Sequence, residues 1–222
     1  MVIAHIATIP ERENSLRQVL AAISPQVDKT YVSLNGYQVE PDWLHTIRNV
    51  ECELLDNSLY GDCARYLHFG EDEGYSFFCD DDLIYAPDYC KYMIYKYNQY
   101  KGCLITLHGK IYGRPIISPH RGITQNYRCL NTVQGDHDVE TGGTGVMLIK
   151  IGDIKIRMEE FSRPNMADIW IAKMAYEQNV KIKVVEHEVG IVKYLPQTRT
   201  IWRNHTREDD IYQTKILNSF LK

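Results

Sequence analysis

"FFCDDDLIYAPDY", residues 77–89, sets three carboxylates side by side where an apolar run ends. Phe77, Phe78 and Cys79 read as the last positions of a strand, and Asp80 as the point where that strand gives out. Two explanations compete for the triplet. Aspartates accept backbone hydrogen bonds in turns and favour exposure, so the acids can be a hydrophilic turn. They can also be a hard-metal site, in which carboxylate oxygens hold Mg²⁺ or Mn²⁺ against substrate phosphates. In extended backbone Asp80 and Asp82 lie two positions apart and point to one side, with Asp81 on the other. The metal reading therefore expects Asp80 and Asp82 to share an ion, and Asp81 to orient backbone or sugar groups.

Upstream of the triplet, "VIAHIAT" reads as a buried strand and "ENSLRQVLAAIS" as a helix with one apolar face. "KTYVSLNG" supplies a second strand, "WLHTIRN" a short helix, "ECELLDN" a third strand and "DCARYLHF" a helix start. Downstream, "DYCKYMIYKYNQY" returns to helix and "CLITLHG" to strand. Residues 109–141, rich in Gly, Pro, Asn and His, read as an extended loop or small excursion over the sheet. "GTGVMLIK" restores strand, "MADIWIAKMAYEQ" helix, "VKIKVVEHEV" strand, and "REDDIYQTKILNSFLK" closes as helix. This alternation predicts an α/β fold with a mostly parallel central sheet covered by helices, in one domain over 1–222. Ligands of such sheets bind beyond the carboxyl ends of the strands. Asp56, Asp80 and Asp82 all fall at such ends, which strengthens the metal reading.

Composition narrows the partners. With 25 Lys and Arg against 29 Asp and Glu, the 222-residue chain carries a formal charge of −4 and lacks the basic excess that concentrates a nucleic-acid backbone. No nucleic acid is expected. The 16 tyrosines can line sugar- or base-binding surfaces, although most such rings serve as half-buried packing. The apolar runs fall short of the roughly 20 residues that span a bilayer, and the N-terminal segment lacks a basic start. Cys52, Cys63, Cys79, Cys90, Cys103 and Cys129 are dispersed without a CxxC pair, as expected for reduced thiols of a cytoplasmic protein. Peripheral contact with the cytoplasmic face of a membrane stays compatible with a lipid-linked substrate.

Near the C-terminus, "IWRNHTRE" supplies His205 between Arg203 and Arg207. A neutral imidazole can complete a Mn²⁺ shell of carboxylates and phosphate oxygens, and the arginines can bind phosphate. A solvated link into the last helix is the other reading. The glycines of "TGGTGVMLIK" precede a strand and are no dinucleotide fingerprint; they serve as a turn or permit close approach of a ligand. There is no HExxH helix, Walker loop or GxSxG elbow.

Taken together, "ATIPEREN", "LLDN", "FFCDDDLIYAPDY", "GGTGVMLIK", "MADIWIA" and "WRNH" resemble a GT-A glycosyltransferase, in particular the broad family-two group that uses nucleotide-activated sugars. The resemblance implies a GT-A nucleotide-diphospho-sugar transferase fold, a UDP-linked donor and an acceptor-side excursion around 109–141. It makes Thr8, Pro10 and Arg12 the turn approaching the nucleotide, and Asp56 the carboxylate at the nucleobase. Asp80, Asp81 and Asp82 become the DxD segment at ribose and metal, His205 a late ligand of Mn²⁺ or Mg²⁺, and Arg65 a basic donor contact. Gly142, Gly143 and Thr144 join the substrate surface.

Asp168, alone, reads as a helix cap or first-turn acid. The resemblance makes it the base that accepts a proton from an acceptor hydroxyl, with Trp170 as a neighbouring aromatic wall. Many relatives carry paired acids here where this chain has "ADIW". His108, His120, His137 and His187 are weaker candidates, and "GDHDVE" around His137 can be a second metal group or a solvated turn. The expected activity is inverting, metal-dependent sugar transfer to a glycan or lipid-linked acceptor. The competing readings are a noncatalytic nucleotide-sugar or carbohydrate-binding protein and a sugar-phosphate nucleotidyltransferase.

Overall fold

A computed structural model describes residues 1–197 and 206–221. In chain order the strands and helices are β1 (Val2–Thr8), α1 (Glu13–Ile23), β2 (Lys29–Asn35), β3 (Val50–Leu55), α2 (Asn57–Tyr60), β4 (Tyr75–Asp80) and β5 (Leu83–Tyr85). They continue with α3 (Tyr89–Gln99), β6 (Leu104–Thr106), β7 (Gly109–Tyr112), β8 (Ile123–Tyr127), β9 (His137–Val139) and β10 (Thr141–Gly142). β11 (Val146–Lys150), α4 (Ala167–Glu177), β12 (Ile182–Val184), β13 (Val192–Tyr194) and α5 (Arg207–Phe220) complete the series.

The central sheet has eight strands in the order β3-β2-β1-β4-β11-β6-β12-β9. From β3 to β4 all neighbours are parallel, and β11 enters antiparallel to both β4 and β6. The chain winds outward from β1 through β2 to β3, then returns to place β4 on the other side of β1. The reversal opens a crevice between the carboxyl ends of β1 and β4, where open α/β sheets take their ligands. The register pairs Ala7 with Asp80, so Thr8 and the first acid of the triplet end side by side.

Strand alternation divides the core into two layers. Phe77 and Leu148 pack on one face with Leu16, Val19, Leu20 and Ile23 of α1 and with Met93 of α3. The α1 set follows the 3.6-residue period that the sequence displays. Phe78, Met147 and Ile149 pack on the other face with α4 and with Leu217 and Phe220 of α5. Helix α5 starts in a capping box, with Thr206 and Asp209 each accepting the other's backbone N–H. Among the described residues no helix is long and apolar enough to cross a membrane.

Three segments differ from their sequence expectation. Residues 109–141, read as a loop or small excursion, contain strands between their loops: β7, β8 and β10 form a small three-stranded sheet and β9 edges the central one. "DCARYLHF" forms a 3₁₀ segment, Gly61–Tyr66, rather than an α-helix start. Asp62 and Arg65 in it make contacts across the fold, described below, that outweigh local helix propensity. "VKIKVVEHEV" keeps strand pairing only over Ile182–Val184, with His187 making an isolated bridge to Val133.

His5 carries an acid-sensitivity into this core. It is 1% exposed, stacks between Tyr31 and Phe78, and its Nε2 meets Ser76 Oγ at 3.1 Å. Burial, and then the charge of His68, push the imidazole down to about 3. An unfolded histidine titrates near ~6.5. Between those values the unfolded chain binds the extra proton, so the contribution is intact above that upper value and is lost as pH falls, by up to about 1.4 kcal/mol per unit. Comparing urea unfolding at pH 7.5 and 5.0, His5→Phe should lose about 2 kcal/mol less than the wild type. Equal losses would place the acid-sensitivity elsewhere.

Candidate active site

Asp80 closes β4. Its Oδ1 accepts from Arg65 Nη1 at 2.7 Å, and its N–H lies 2.8 Å from the Tyr85 hydroxyl, which donates to Gly145 O at 2.6 Å. The antiparallel register of β11, with Val146 opposite Cys79, brings Gly145 against this carboxylate. A Cβ at Gly145 would stand 1.9 Å from Asp80 Oδ2, so glycine there leaves the space that the acid occupies. Arg65 is 6% exposed, and its guanidinium also donates to the carbonyls of Asp62 at 3.0 Å, Thr144 at 3.3 Å and Cys79 at 3.4 Å. Burial opposes its charge, but Asp80 and Asp62 outweigh burial and hold it protonated.

The strand ends at Asp80, so the alternation expected for the next two acids does not extend to them. Asp81 and Asp82 lie in the turn before β5 and both reach Arg12, at 2.5 and 3.4 Å from Nη1. Burial raises the Asp81 carboxyl and Arg12 opposes that rise. Asp82 is pushed up to about 7, first by burial and then by the charge of Asp80. Arg12, expected at the nucleotide, ends the 3₁₀ turn that Pro10 begins and braces the acidic turn.

A cavity of 360 Å³ beyond the strand ends joins Asp80 to the glycine segment and to the start of α4. Gly143, Thr144 and Asp168 line it. Asp168 is exposed in the first turn of α4, and its Oδ1 accepts from Thr144 N at 2.8 Å and Thr144 Oγ1 at 2.6 Å. The arrangement sets a solvent-facing carboxylate on a helix N-terminus, across a short glycine-rich bridge from Asp80. The cap that α4 lacks locally comes from Asp62, whose Oδ2 accepts the Ala167 N–H at 3.2 Å.

Several other expected residues do not line this cavity. Trp170 is 4% exposed and donates from Nε1 to Arg163 O at 2.9 Å, inside the second core layer. Two helical residues subtend about 200°, so a tryptophan two positions after Asp168 faces away from it. Gly142 is buried, where a Cβ would meet Ile182 at 2.8 Å and Met147 at 2.9 Å, so it permits packing instead of facing the cavity. Asp56 is exposed after β3, and Thr8 is buried at the end of β1. Arg207 is exposed at the start of α5, outside the cavity wall. Arg203 and His205 lie outside the described residues. Among the described residues no three His, Cys, Asp or Glu side chains converge as a metal cluster.

His108 and His120 line the cavity, and burial lowers the His108 imidazole. His137 and His187 do not: His137 Nε2 meets Gln134 O at 2.8 Å, and His187 Nδ1 meets Val185 O at 2.7 Å. The acids around His137 are taken by lysines, Asp136 by Lys96 at 3.1 Å and Asp138 by Lys181 at 2.9 Å. Asp62, Lys110, Tyr112 and Gln213 join the cavity wall without having been expected from the sequence. For Lys110 and Tyr112 the signal was present as i, i+2 alternation, obscured by the surrounding Gly and Pro.

No family model matches this chain, and no curated protein matches it in sequence. Solved structures match it in fold. S. aureus TarS 1–349 in complex with UDP-GlcNAc superposes with a TM-score of 0.62 at 14% identity, covering 100% of this chain and 72% of that one. GalNAc-T7 with UDP, GalNAc and Mn²⁺ gives 0.64 at 7% identity, over 89% of this chain and 44% of that one. A second S. aureus TarS structure gives 0.59 at 14%, over 99% and 42%. The chain therefore spans less than half of the latter two. These neighbours are GT-A-type glycosyltransferases, and the fold of this chain is the GT-A fold.

Proposed function

We propose that this chain, acting as one catalytic unit over residues 1–222, transfers a sugar from a UDP-linked donor to a hydroxyl of a glycan or lipid-linked glycan, with inversion at the anomeric carbon. The observation that carries the reading is the shared cavity of Asp80 and Asp168, one acid at a strand end on the crevice and the other at a helix start across the glycine segment. The neighbours' complexes, one with UDP-GlcNAc and one with UDP, GalNAc and Mn²⁺, support the same donor class.

Asp80 and Asp82 would offer a divalent cation oxygen donors only, as Mg²⁺ and Mn²⁺ prefer; burial, and then the charge of Asp80, raise the Asp82 carboxyl, and a cation would relieve the second of these. When bound there, the ion supplies positive charge against the departing diphosphate. Arg65 holds Asp80 in place, and Arg12 holds the following turn. Asp168 aligns the acceptor and takes its proton while the acceptor oxygen bonds to the anomeric carbon. The bond from that carbon to the diphosphate oxygen breaks, and the electron pair leaves with the nucleotide. A cytoplasmic enzyme working at a membrane face would meet a lipid-linked acceptor without spanning the bilayer.

Purified protein incubated with Mn²⁺, a panel of nucleotide sugars and mixed glycan acceptors should yield a product heavier by one sugar, with release of the nucleoside diphosphate, by mass spectrometry. Donor binding without acceptor-dependent product across the panel would favour a carbohydrate-binding protein. Gly145→Ala gives a sharper check, because its Cβ displaces the Asp80 carboxylate. Transfer should fall about a hundredfold, in line with loss of one electrostatic stabiliser of the transition state. Moving the carboxylate also parts it from the buried Arg65 guanidinium, so the thermal midpoint should fall as well, and UDP binding by the folded variant separates the two effects. Unaltered transfer in this variant would remove Asp80 from the mechanism.

A further inference from the structure

The three-stranded sheet builds one wall of the cavity, and its charge is of the opposite sign to that of Asp80 and Asp168. Lys110 and Tyr112, two positions apart on β7, both line the cavity, as does Thr141, which pairs with Lys110 across the ladder to β10. Among the described residues Lys110 makes no ion pair; its Nζ donates to Pro119 O at 3.2 Å, leaving further N–H groups for a ligand. Glu140, next to Thr141, does not neutralise it, because that carboxylate is held by Arg114 at 2.5 Å and by the Tyr112 N–H at 2.7 Å. Arg128 follows β8, is exposed and makes no ion pair among the described residues.

Lys110, His108 and Asp168 line the same cavity, and Arg128, beyond the end of β8, lies outside its wall. Burial lowers the Lys110 ammonium, the cost of keeping a cation in a cavity without a bonded counter-charge. Such a cation is relieved by an anionic oxygen of a ligand.

We propose that the acceptor carries an anionic group, a phosphate or carboxylate, which Lys110 receives on the cavity wall while the acceptor hydroxyl faces Asp168. This rests on reading the cavity as a sugar-transfer site. A neutral acceptor would leave Lys110 desolvated and unpaired when bound, whereas an anionic one gains a charge-assisted bond in the same event. Discrimination between the two classes then arises at this wall.

Calorimetric titration of the whole protein with Mn²⁺ and UDP already bound, using glycerol 3-phosphate and glucuronate against glycerol and glucose, tests the proposal. The anionic probes should bind and the neutral ones bind at least about tenfold more weakly. Lys110→Met should weaken the anionic probes about tenfold or more. Arg128→Gln, at an exposed position outside the cavity wall, removes only a distant charge and should weaken them by less than Lys110→Met. UDP titrated alone into each variant checks that the fold is intact and separates the two readings: loss of UDP binding in the wild type sinks the donor assignment, not the anion site. Equal binding of neutral and anionic probes, or anion binding indifferent to Lys110→Met, overturns the proposal. So does anion binding abolished by bound UDP, which would place the anion on the donor side. A fall in turnover with Lys110→Met at unchanged anion affinity would make Lys110 a positioning residue for Asp168 and also overturn it.

Discussion

Asp168→Asn should lower the turnover of sugar transfer by about 10²–10⁴-fold, the range expected for loss of a positioned general base. The substitution is informative because the local structure tolerates it. Both bonds that Asp168 accepts, from the Thr144 N–H and hydroxyl, fall on Oδ1, and an asparagine oxygen can accept both in the same place. The join between the glycine segment and α4 therefore survives, while the group that takes the proton does not. UDP binding and the thermal midpoint should stay within error of the wild type. Turnover within about threefold of the wild type would assign the proton to another group, with His108 the first to substitute next.

Arg65→Met should produce the largest loss of stability of any single change at the site. Arg65 is 6% exposed and ties four groups together: the carbonyls of Asp62, Cys79 and Thr144, and the Asp80 carboxylate. Methionine matches its stem but satisfies none of them. Removing one partner of a fully buried pair costs about 3–5 kcal/mol. The Asp80 side chain keeps 37% exposure, so water can recover part of its charge, and about 2–4 kcal/mol is expected in urea unfolding. Arg65→Lys should restore only part of this, since an ammonium keeps the charge but not the planar fork that spans several carbonyls. A loss below about 1 kcal/mol for Arg65→Met would mean that these bonds are replaced by water, and that the Gly61–Tyr66 segment is held by its apolar contacts instead.

The two substitutions probe opposite ends of one design. Asp168, the proposed base, is exposed to solvent; Arg65 is buried and holds the partly exposed Asp80 carboxylate. The first should change rate without stability, the second stability and rate together.

Legibility in the sequence followed the range of the interactions involved. Phe77 and Phe78 alternate into opposite core layers, and the apolar period of α1 is visible in "ENSLRQVLAAIS", because both depend on backbone geometry over a few residues. Asp80 at a strand end and Asp168 in a first helical turn were readable for the same reason. Asp82 was not: its partnership with Arg12 depends on β4 stopping one residue into the triplet. Trp170 is near Asp168 in sequence but faces away from it, because residues two apart on a helix diverge. Lys110 and Tyr112 were hidden in a segment whose strands are short and pair mainly with one another.

The amino-acid sequence by itself determined the alternation of strands and helices, the two-faced core, and the ending of Asp80 at the sheet edge, since each is decided by side-chain periodicity and local backbone preference. The tertiary structure alone decided that Asp80, Thr144, Asp168 and Lys110 share a cavity. Their meeting requires β4 to lie beside β1, β11 to enter antiparallel against β4, and β7 to pair with β10. Those pairings join segments distant along the chain, selected by burial of both sheet faces at once, and no local pattern encodes which strand will be whose neighbour.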